Sequence, residues 1–304
     1  MPDLILHHFD LSPFAEKVRL VLGLKRLKWR SVEIPMVMPK PGLTALTGGY
    51  RKTPVLQIGA DIYCDTRLIA VTLESLYPSP TLFPNAERGV SLALTAWSDR
   101  SFFEPGAGLS MGLNKRGLPR EVIEDRKAFF NFMDFDALET DIPHLTTQFR
   151  AHADLVDQQL NGRQFLLGEA PGWGDINAYF PVWMARANVP TAGDILGPFE
   201  RLRAWEARMS AIGHGERVAM TAAEAHDIAR HATANPGAGV DAADALGLQL
   251  GDQVVVAADD YGRDPVAGEI VTLGLHEVAI RRFDPAVGTV VVHFPRIGYR
   301  ISKA

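Results

Sequence analysis

The sequence has little cysteine and no long apolar run, and both shortages narrow the class of protein. A single cysteine, Cys64, excludes an intrachain disulfide framework and fits a reducing compartment. No apolar run approaches the roughly 18 residues that a membrane-spanning helix needs. The first nine residues lack the basic and long apolar stretches of a cleaved secretion signal. We therefore expect a cytoplasmic protein.

An excess of basic charge is also missing. Lysine and arginine number 31 against 36 aspartate and glutamate residues, which gives a formal net charge of −5. This balance provides no broad electrostatic attraction to nucleic acid or to an anionic membrane, so we expect neither as a partner. Internal repeats and low-complexity runs are absent too. The 304 residues, 47% of them hydrophobic, are enough for two or three well-buried domains.

The N-terminal quarter of the chain alternates between strand and helix patterns. The pattern predicts strands and helices in the order β, α, β, β, β, α, at residues 4–9, 13–25, 29–34, 54–58, 61–63 and 65–76. A βαβ unit followed by ββα is the thioredoxin-like arrangement, with the third strand antiparallel to its neighbour. Proline residues end the last helix and begin a linker.

The rest of the chain divides into a helical part and a strand-rich part. Residues 88–230 carry helical periodicity, and the helix that follows residues 172–175 is apolar on most sides, so we expect it to be central and buried, with Asp175 satisfying free amides in its first turn. After residue 237, about five short strands predict a small barrel of SH3-like size. The predicted domains are residues 1–79, 86–231 and 238–304.

Three short pieces of sequence carry the chemistry. The run from Ser12 to Arg19 (Ser-Pro-Phe-Ala-Glu-Lys-Val-Arg) opens the first helix, Thr53–Pro54 precedes a strand, and Asp65–Thr66 opens another helix. In this order and spacing, the pieces resemble the glutathione S-transferase superfamily over about residues 4–230. The first run is similar to the omega-like motif Cys-Pro-Phe-Ala-Glu-Arg with serine in place of cysteine, and the theta- and zeta-like branches also use serine there.

The resemblance implies a fold and a co-substrate. The fold is a thioredoxin-like domain followed by an all-helical domain, here with the additional small barrel. The co-substrate is glutathione, without a metal. The resemblance implies that the Ser12 hydroxyl donates a hydrogen bond to the glutathione sulfur. The positive end of the helix would then help to favour the thiolate over the thiol. The local alternative is that Ser12 is only a helix N-cap, since serine before proline is a common start signal. Both roles can coexist.

Four further residues are expected to bind the tripeptide. In the family, the bond equivalent to Thr53–Pro54 is cis. The resemblance therefore implies that Thr53 pairs with the cysteinyl backbone of glutathione. Thr66, at a helix N-terminus, suits the γ-glutamyl carboxylate, and Asp65 suits the neighbouring ammonium. For Asp65 and Thr66 the alternative is a capped helix, and for Pro54 it is the first residue of a strand.

Three other candidates belong to the same site. Lys40 lies where omega-like members bind the glycyl carboxylate, although it is also typical of a solvated loop. His8 ends the first strand, where tyrosine-type members have their catalytic tyrosine, so it either donates to sulfur or lines the cleft wall. Phe14 is expected to contact glutathione and line the pocket. The pocket for the electrophile is predicted to include Trp97, Arg100 and Phe103, with core packing as the alternative for each.

The sequence supports functions from different classes. The first is a glutathione-dependent transferase, in which thiolate attacks an unidentified small electrophile and causes conjugation, dehalogenation or isomerisation. Serine counts against thiol–disulfide exchange because a hydroxyl cannot form a mixed disulfide. The alternative is a non-catalytic glutathione-binding or protein-interaction adaptor that uses the barrel. A reductase in which all thiol chemistry belongs to glutathione is a third possibility. The resemblance also implies a homodimer.

Overall fold

Residues 3–304 are described by a computed structural model, in which contacts divide the chain into two units. The first unit contains the N-terminal residues through Val18, Lys28–Thr72 and Glu216–Ala304. The second unit contains Arg19–Leu27 and Leu73–Gly215.

Strands and helices alternate in the N-terminal part of the chain. They are β1 (Ile5–His8), α1 (Pro13–Leu24), β2 (Lys28–Glu33), α2 (Pro41–Thr47), β3 (Val55–Ile58), β4 (Asp61–Cys64) and α3 (Thr66–Leu76). β1 runs parallel to β2 and antiparallel to β3, and β3 runs antiparallel to β4. This is the predicted thioredoxin-like arrangement. α2 was not predicted, although Pro41 opens it and Gly48, with a φ of 76°, ends it as expected for a left-handed cap.

The C-terminal strands form an antiparallel meander, to which a two-residue strand is added in parallel. They are β6 (Gly239–Val240), β7 (Gln253–Ala258), β8 (Val266–Leu273), β9 (Glu277–Asp284), β10 (Gly288–Pro295) and β11 (Tyr299–Lys303). β7 to β10 pair in sequence, β11 returns to pair with β7, and β6 pairs with β8. A meander with its last strand beside the first has the strand order of an SH3-like barrel.

The meander shares one sheet with the N-terminal strands. β10 pairs in parallel with β4, with Val292 opposite Ile62. At the far edge, β5 (Glu216–Ala219) pairs in parallel with β2 and leads into α11 (Ala222–His231). The prediction of a helical segment through residue 230 is wrong at β5, because this short, largely exposed edge strand has no apolar alternation.

A continuous hydrophobic core lies beneath both groups of strands. One cluster of buried side chains contains Ile5 and Ile62 from the N-terminal strands, Ala225 from α11, and Val292 and Phe294 from β10. The alternating burial along β7 is the period-2 pattern that a sheet with one buried face imposes. The C-terminal strands therefore depend on the same apolar contacts as the thioredoxin-like strands.

Helices make up most of the second unit. They are α4 (Arg88–Ala96), a π-helical segment (Trp97–Phe102), α5 (Phe103–Asn114), α6 (Arg120–Phe129), α7 (Leu138–Gln159), α8 (Trp173–Asn188), α9 (Ala192–Leu196) and α10 (Glu200–Ser210), with a 3₁₀ turn at Pro84–Ala86. α8 is buried along most of its length, as predicted. Asp175 in its first turn accepts hydrogen bonds from the amides of Leu166 and Gly172 and from the Trp205 indole.

The predicted fold class is confirmed, with a thioredoxin-like part, a helical part and a C-terminal β-sheet. Within residues 3–304, no helix combines the length and the apolar character needed to cross a bilayer. The three predicted domain boundaries stay a prediction.

Candidate glutathione site

Three of the predicted residues lie at one edge of the sheet. Ser12 follows the carboxyl end of β1, Thr53 precedes β3, and Thr66 follows the carboxyl end of β4. Because β3 is antiparallel to both neighbours, with Val55 opposite His7 and Cys64, the start of β3 meets the ends of β1 and β4. The topology therefore brings these side chains to one edge.

Ser12 is the N-cap of α1. Its Oγ accepts a hydrogen bond from the amide of Ala15 at 3.1 Å, and the residue is only 3% exposed. The cap predicted as the local alternative is therefore present. This bond uses a lone pair of the hydroxyl and leaves its proton to be donated elsewhere.

Thr53 presents backbone groups at the same edge. The Thr53–Pro54 bond is cis, and the ladder between β1 and β3 begins only at Val55. In the described part of the chain, neither the amide nor the carbonyl of Thr53 makes a hydrogen bond. An extended peptide can pair with such an edge as an added strand.

Asp65 and Thr66 form the start of α3. The Asp65 Oδ1 accepts from the amide of Arg67 at 2.9 Å, which caps the helix. Thr66 is 4% exposed, and its hydroxyl and amide have no hydrogen-bond partner between residues 3 and 304. Both groups can donate to a carboxylate, and the helix N-terminus favours an anion.

Lys40 lies beside Thr53 rather than in solvent. Its Nζ donates to the Arg51 carbonyl at 3.1 Å and to the Thr53 Oγ1 at 3.3 Å, and lies 5.6 Å from the centroid of the Phe9 ring. The residue is buried, which is unlike the solvated loop lysine considered as its alternative. Its role toward a glycyl carboxylate stays a prediction.

His8 is fully buried within the sheet. Its Nε2 lies 2.9 Å from the Ser31 Oγ, which also accepts from the Arg217 Nε at 3.0 Å, and its ring packs edge-on against Trp29. These are the contacts of a histidine that links β1 to its neighbours. A catalytic role for His8 stays a prediction.

Phe14 is partly exposed, whereas Cys64 is enclosed in the core. Phe14 is half-buried on α1, with the Lys17 Nζ 5.6 Å from its ring centroid. Cys64 is fully buried, and this burial raises the pKa of its thiol well above its ordinary value. Cys64 is therefore a core residue rather than a nucleophile.

Residues of the C-terminal segment also reach this edge, which the local sequence did not predict. β10 is parallel to β4, so its carboxyl end lies beside the start of α3. The Tyr299 hydroxyl donates to the Asp65 Oδ2 at 3.3 Å. The Lys52 Nζ lies 2.5 Å from the Asp260 Oδ1 and 4.4 Å from the Tyr261 ring centroid. More than 200 residues separate these partners, so no local signal could reveal them.

The predicted electrophile residues belong to the second unit. The Trp97 Nε1 donates to the His152 Nδ1 at 3.1 Å, and burial lowers the pKa of His152, which keeps that nitrogen an acceptor. Phe103 is buried and stacks on Phe180, whereas Arg100 is exposed. The contacts of Phe103 are those of core packing. The electrophile pocket stays a prediction.

Residues 3–304 contain no group of three or more His, Cys, Asp or Glu side chains arranged to hold a metal ion. Two stretches of the chain match models of a known protein family. Residues 6–81 match the profile of the glutathione S-transferase N-terminal domain, and residues 123–208 match that of the C-terminal domain.

Individual proteins are similar to this chain over different lengths. A GST-like protein from Pseudomonas syringae, known from a crystal structure, is 37% identical, covers 100% of both chains and has a TM-score of 0.83. FtsZ-localized protein A from Caulobacter vibrioides is 28% identical over 178 residues, which are 57% of this chain and 73% of that protein. A glutathione S-transferase from Rhodospirillum rubrum has the same fold, with 24% identity, coverage of 68% and 88%, and a TM-score of 0.54.

Proposed function

Because the chain belongs to the glutathione S-transferase superfamily, we propose that it binds glutathione at the sheet edge and activates the thiol for attack on a small electrophile. One observation carries this proposal. The unpaired backbone of Thr53 lies at the same edge as the hydroxyls of Ser12 and Thr66. These groups match an extended peptide backbone, a thiol and a carboxylate, which are the three parts of glutathione that need recognition.

Each group has a separate part in the proposed reaction. Thr53 pairs with the cysteinyl residue, and Thr66 at the start of α3 donates to the γ-glutamyl carboxylate. The Ser12 hydroxyl donates a hydrogen bond to the sulfur while keeping its proton, and the N-terminus of α1 adds positive potential, so the thiolate is favoured over the thiol. The thiol proton passes to solvent, and the thiolate attacks an electrophilic carbon. In substitution or dehalogenation a halide or other leaving group departs with the bonding electron pair, and in isomerisation the new C–S bond breaks again and releases glutathione. A serine hydroxyl cannot form a mixed disulfide, so we propose conjugation, dehalogenation or isomerisation rather than disulfide exchange.

The remaining assignments extend the proposal to the ends of the tripeptide. Lys40 takes the glycyl carboxylate and Asp65 the γ-glutamyl ammonium, while Phe14 contacts the peptide. Trp97, Arg100 and Phe103 contribute to the pocket for the electrophile. We also propose, from the serine at position 12, that the chain is related to the omega-, theta- or zeta-like branches.

Substitution of Ser12 tests the proposed mechanism. In Ser12→Ala the sulfur loses a charge-assisted hydrogen bond, so turnover of a model aryl halide should fall about 10- to 100-fold. The Kd for glutathione, measured by isothermal titration calorimetry, should change less than about 3-fold. Ser12→Thr is the matched control, since it keeps both the hydroxyl and the N-cap. Equal turnover in wild type and Ser12→Ala would remove Ser12 from the mechanism, and no binding heat with wild type would contradict the whole proposal.

A second candidate is a protein-interaction adaptor. It is favoured by the similarity to FtsZ-localized protein A and by the engagement of the Asp65 carboxylate with Tyr299. The same titration separates the two candidates when it is combined with a panel of electrophiles and co-sedimentation with purified FtsZ polymers. Co-sedimentation without glutathione binding or turnover would support the adaptor.

A further inference from the structure

The Asp65 carboxylate is hydrogen-bonded to two tyrosine hydroxyls in series, and the nearer tyrosine belongs to the C-terminal strands. The Tyr299 hydroxyl on β11 lies 3.3 Å from the Asp65 Oδ2, and the Tyr50 hydroxyl lies 3.1 Å from that of Tyr299. The other carboxylate oxygen, Oδ1, accepts from the amide of Arg67. Both oxygens of Asp65 are thus fixed by donors.

The direction of these hydrogen bonds follows from proton counting. Burial raises the pKa of Tyr50 and of Tyr299 well above the ordinary value for tyrosine, so each hydroxyl keeps its single proton. A carboxylate can only accept, so Tyr299 donates to Asp65. Tyr299 then has no second proton, and Tyr50 must donate to Tyr299.

Aromatic packing fixes the positions of these two tyrosine hydroxyls. Tyr299 is 7% exposed, and its ring centroid lies 5.3 Å from that of Phe294, which in turn lies 5.8 Å from that of Tyr50. Tyr299 also pairs with Ala258 in the ladder between β11 and β7. Its hydroxyl is therefore positioned by both packing and backbone pairing, which limits the rotamers that Asp65 can adopt.

Asp65 has no cationic partner of its own. All donors to it are neutral, and within residues 3–304 its carboxylate makes no ion pair. Lys52, which adjoins Thr53, forms its ion pair with Asp260 of the C-terminal segment instead. A partly buried carboxylate that is oriented by neutral donors still has unused lone pairs that can accept further hydrogen bonds. An ammonium group is the ligand that fits it.

We propose that Tyr299 is a positioning residue of the glutathione site, which orients the Asp65 carboxylate toward the γ-glutamyl ammonium. This inference rests on the proposed binding of glutathione. It gives the C-terminal strands a direct part in recognising the co-substrate, although they lie outside the two stretches that match the family models. Tyr50 supports the arrangement by donating to Tyr299.

The test compares two ligands that differ by one amino group. Wild type and Tyr299→Phe are titrated calorimetrically with glutathione and with N-glutaryl-cysteinylglycine, which lacks only the γ-glutamyl amino group. Loss of the hydroxyl should weaken glutathione binding about 2- to 10-fold and leave the affinity for the analogue unchanged. Tyr63→Phe is the matched control, since the Tyr63 hydroxyl has no hydrogen-bond partner in the described part of the chain. Thermal unfolding of each variant reports its folding.

The outcomes separate this inference from the proposed function. If Tyr299→Phe lowers the affinity for both ligands by the same factor, Tyr299 has only a general structural role and the inference is wrong. The inference also fails if neither affinity changes. If wild type binds neither ligand, the proposed function fails, and this is seen before any variant is compared.

Discussion

At the scale of single residues, His293 links the C-terminal meander to the thioredoxin-like strands. Its Nδ1 lies 2.5 Å from the Glu277 Oε1 on β9, and its Nε2 lies 3.0 Å from the Asp61 Oδ1 on β4. The ring also stacks on Tyr63 at 4.4 Å. Burial alone lowers the pKa of His293, but the hydrogen bonds to the two carboxylates outweigh it, and the net effect is a raised pKa. The protonated ring donates to both carboxylates at once.

This geometry predicts a pH-dependent contribution to stability. Because the pKa of His293 is higher in the folded state, its contribution is complete below the unfolded value of about 6.5 and is lost as pH rises through the raised folded value. His293→Gln should lower the free energy of unfolding by about 2 kcal/mol near pH 6 and by less near pH 9. Chemical denaturation at both pH values measures this difference.

The control for His293 lies on the neighbouring turn. His276 is exposed, and His276→Gln removes the same type of side chain without touching the two carboxylates. This variant should keep the pH dependence of wild type. If His293→Gln also kept it, the hydrogen bonds to Asp61 and Glu277 would not be a source of pH-dependent stability.

Local sequence could predict some parts of the candidate site and not others. Ser12 and Thr66 stand directly before or at helix starts, and Pro54 follows Thr53, so their placement follows from signals within a few residues. Tyr299 and His293 act on Asp65 and Asp61 more than 230 residues away. Their roles depend on the pairing of β10 with β4, which the sequence pattern of either strand alone does not specify.

At the scale of elements, the start of α8 depends on one buried carboxylate. The Asp175 Oδ1 accepts from the Leu166 amide and the Trp205 indole, and the Oδ2 accepts from the Gly172 amide. In Asp175→Asn the side-chain NH₂ would replace one of these oxygens and face a donor. We expect the free energy of unfolding to fall by about 1–3 kcal/mol, measured by urea denaturation.

Asp154→Asn provides the matched control for this prediction. Asp154 lies on α7, and among the described residues its Oδ2 accepts only one hydrogen bond, an exposed one from the side chain of Gln158. Its substitution should change the free energy of unfolding by less than about 0.5 kcal/mol. Equal effects of the two substitutions would show that burial of Asp175 does not matter to the helix.

Elements whose apolar residues form a clear pattern were predicted well, and elements without such a pattern were not. α8 and β7 each show burial that follows their sequence pattern. β5 is too short and too exposed to carry a pattern, and its strand conformation comes from pairing with β2. α2 has proline and glycine boundaries but only seven residues, which give no clear helical period.

At the scale of the whole molecule, the shared core decides whether the C-terminal segment is separable. Buried residues of β10 pack in one cluster with those of β1, β4 and α11. Removal of residues 232–304 would expose several apolar side chains of the thioredoxin-like part, each worth about 1.5–3 kcal/mol when buried. That sum is comparable with the roughly 5–15 kcal/mol that keeps a typical domain folded. We therefore expect a fragment of residues 1–231 to aggregate or to lack a cooperative thermal transition, as measured by circular dichroism and size-exclusion chromatography.

Two phenylalanine residues in the full-length chain test the same idea without truncation. Phe294 is 1% exposed and packs on Tyr50 of the thioredoxin-like part, whereas Phe283 is 70% exposed. Phe294→Ala should lower the free energy of unfolding by about 3–5 kcal/mol, and Phe283→Ala by less than about 0.5 kcal/mol. A soluble 1–231 fragment that unfolds cooperatively, together with a small effect of Phe294→Ala, would mean that the C-terminal strands fold independently. In that case the hydrogen bond between Tyr299 and Asp65 would join two separable parts rather than lie within one core.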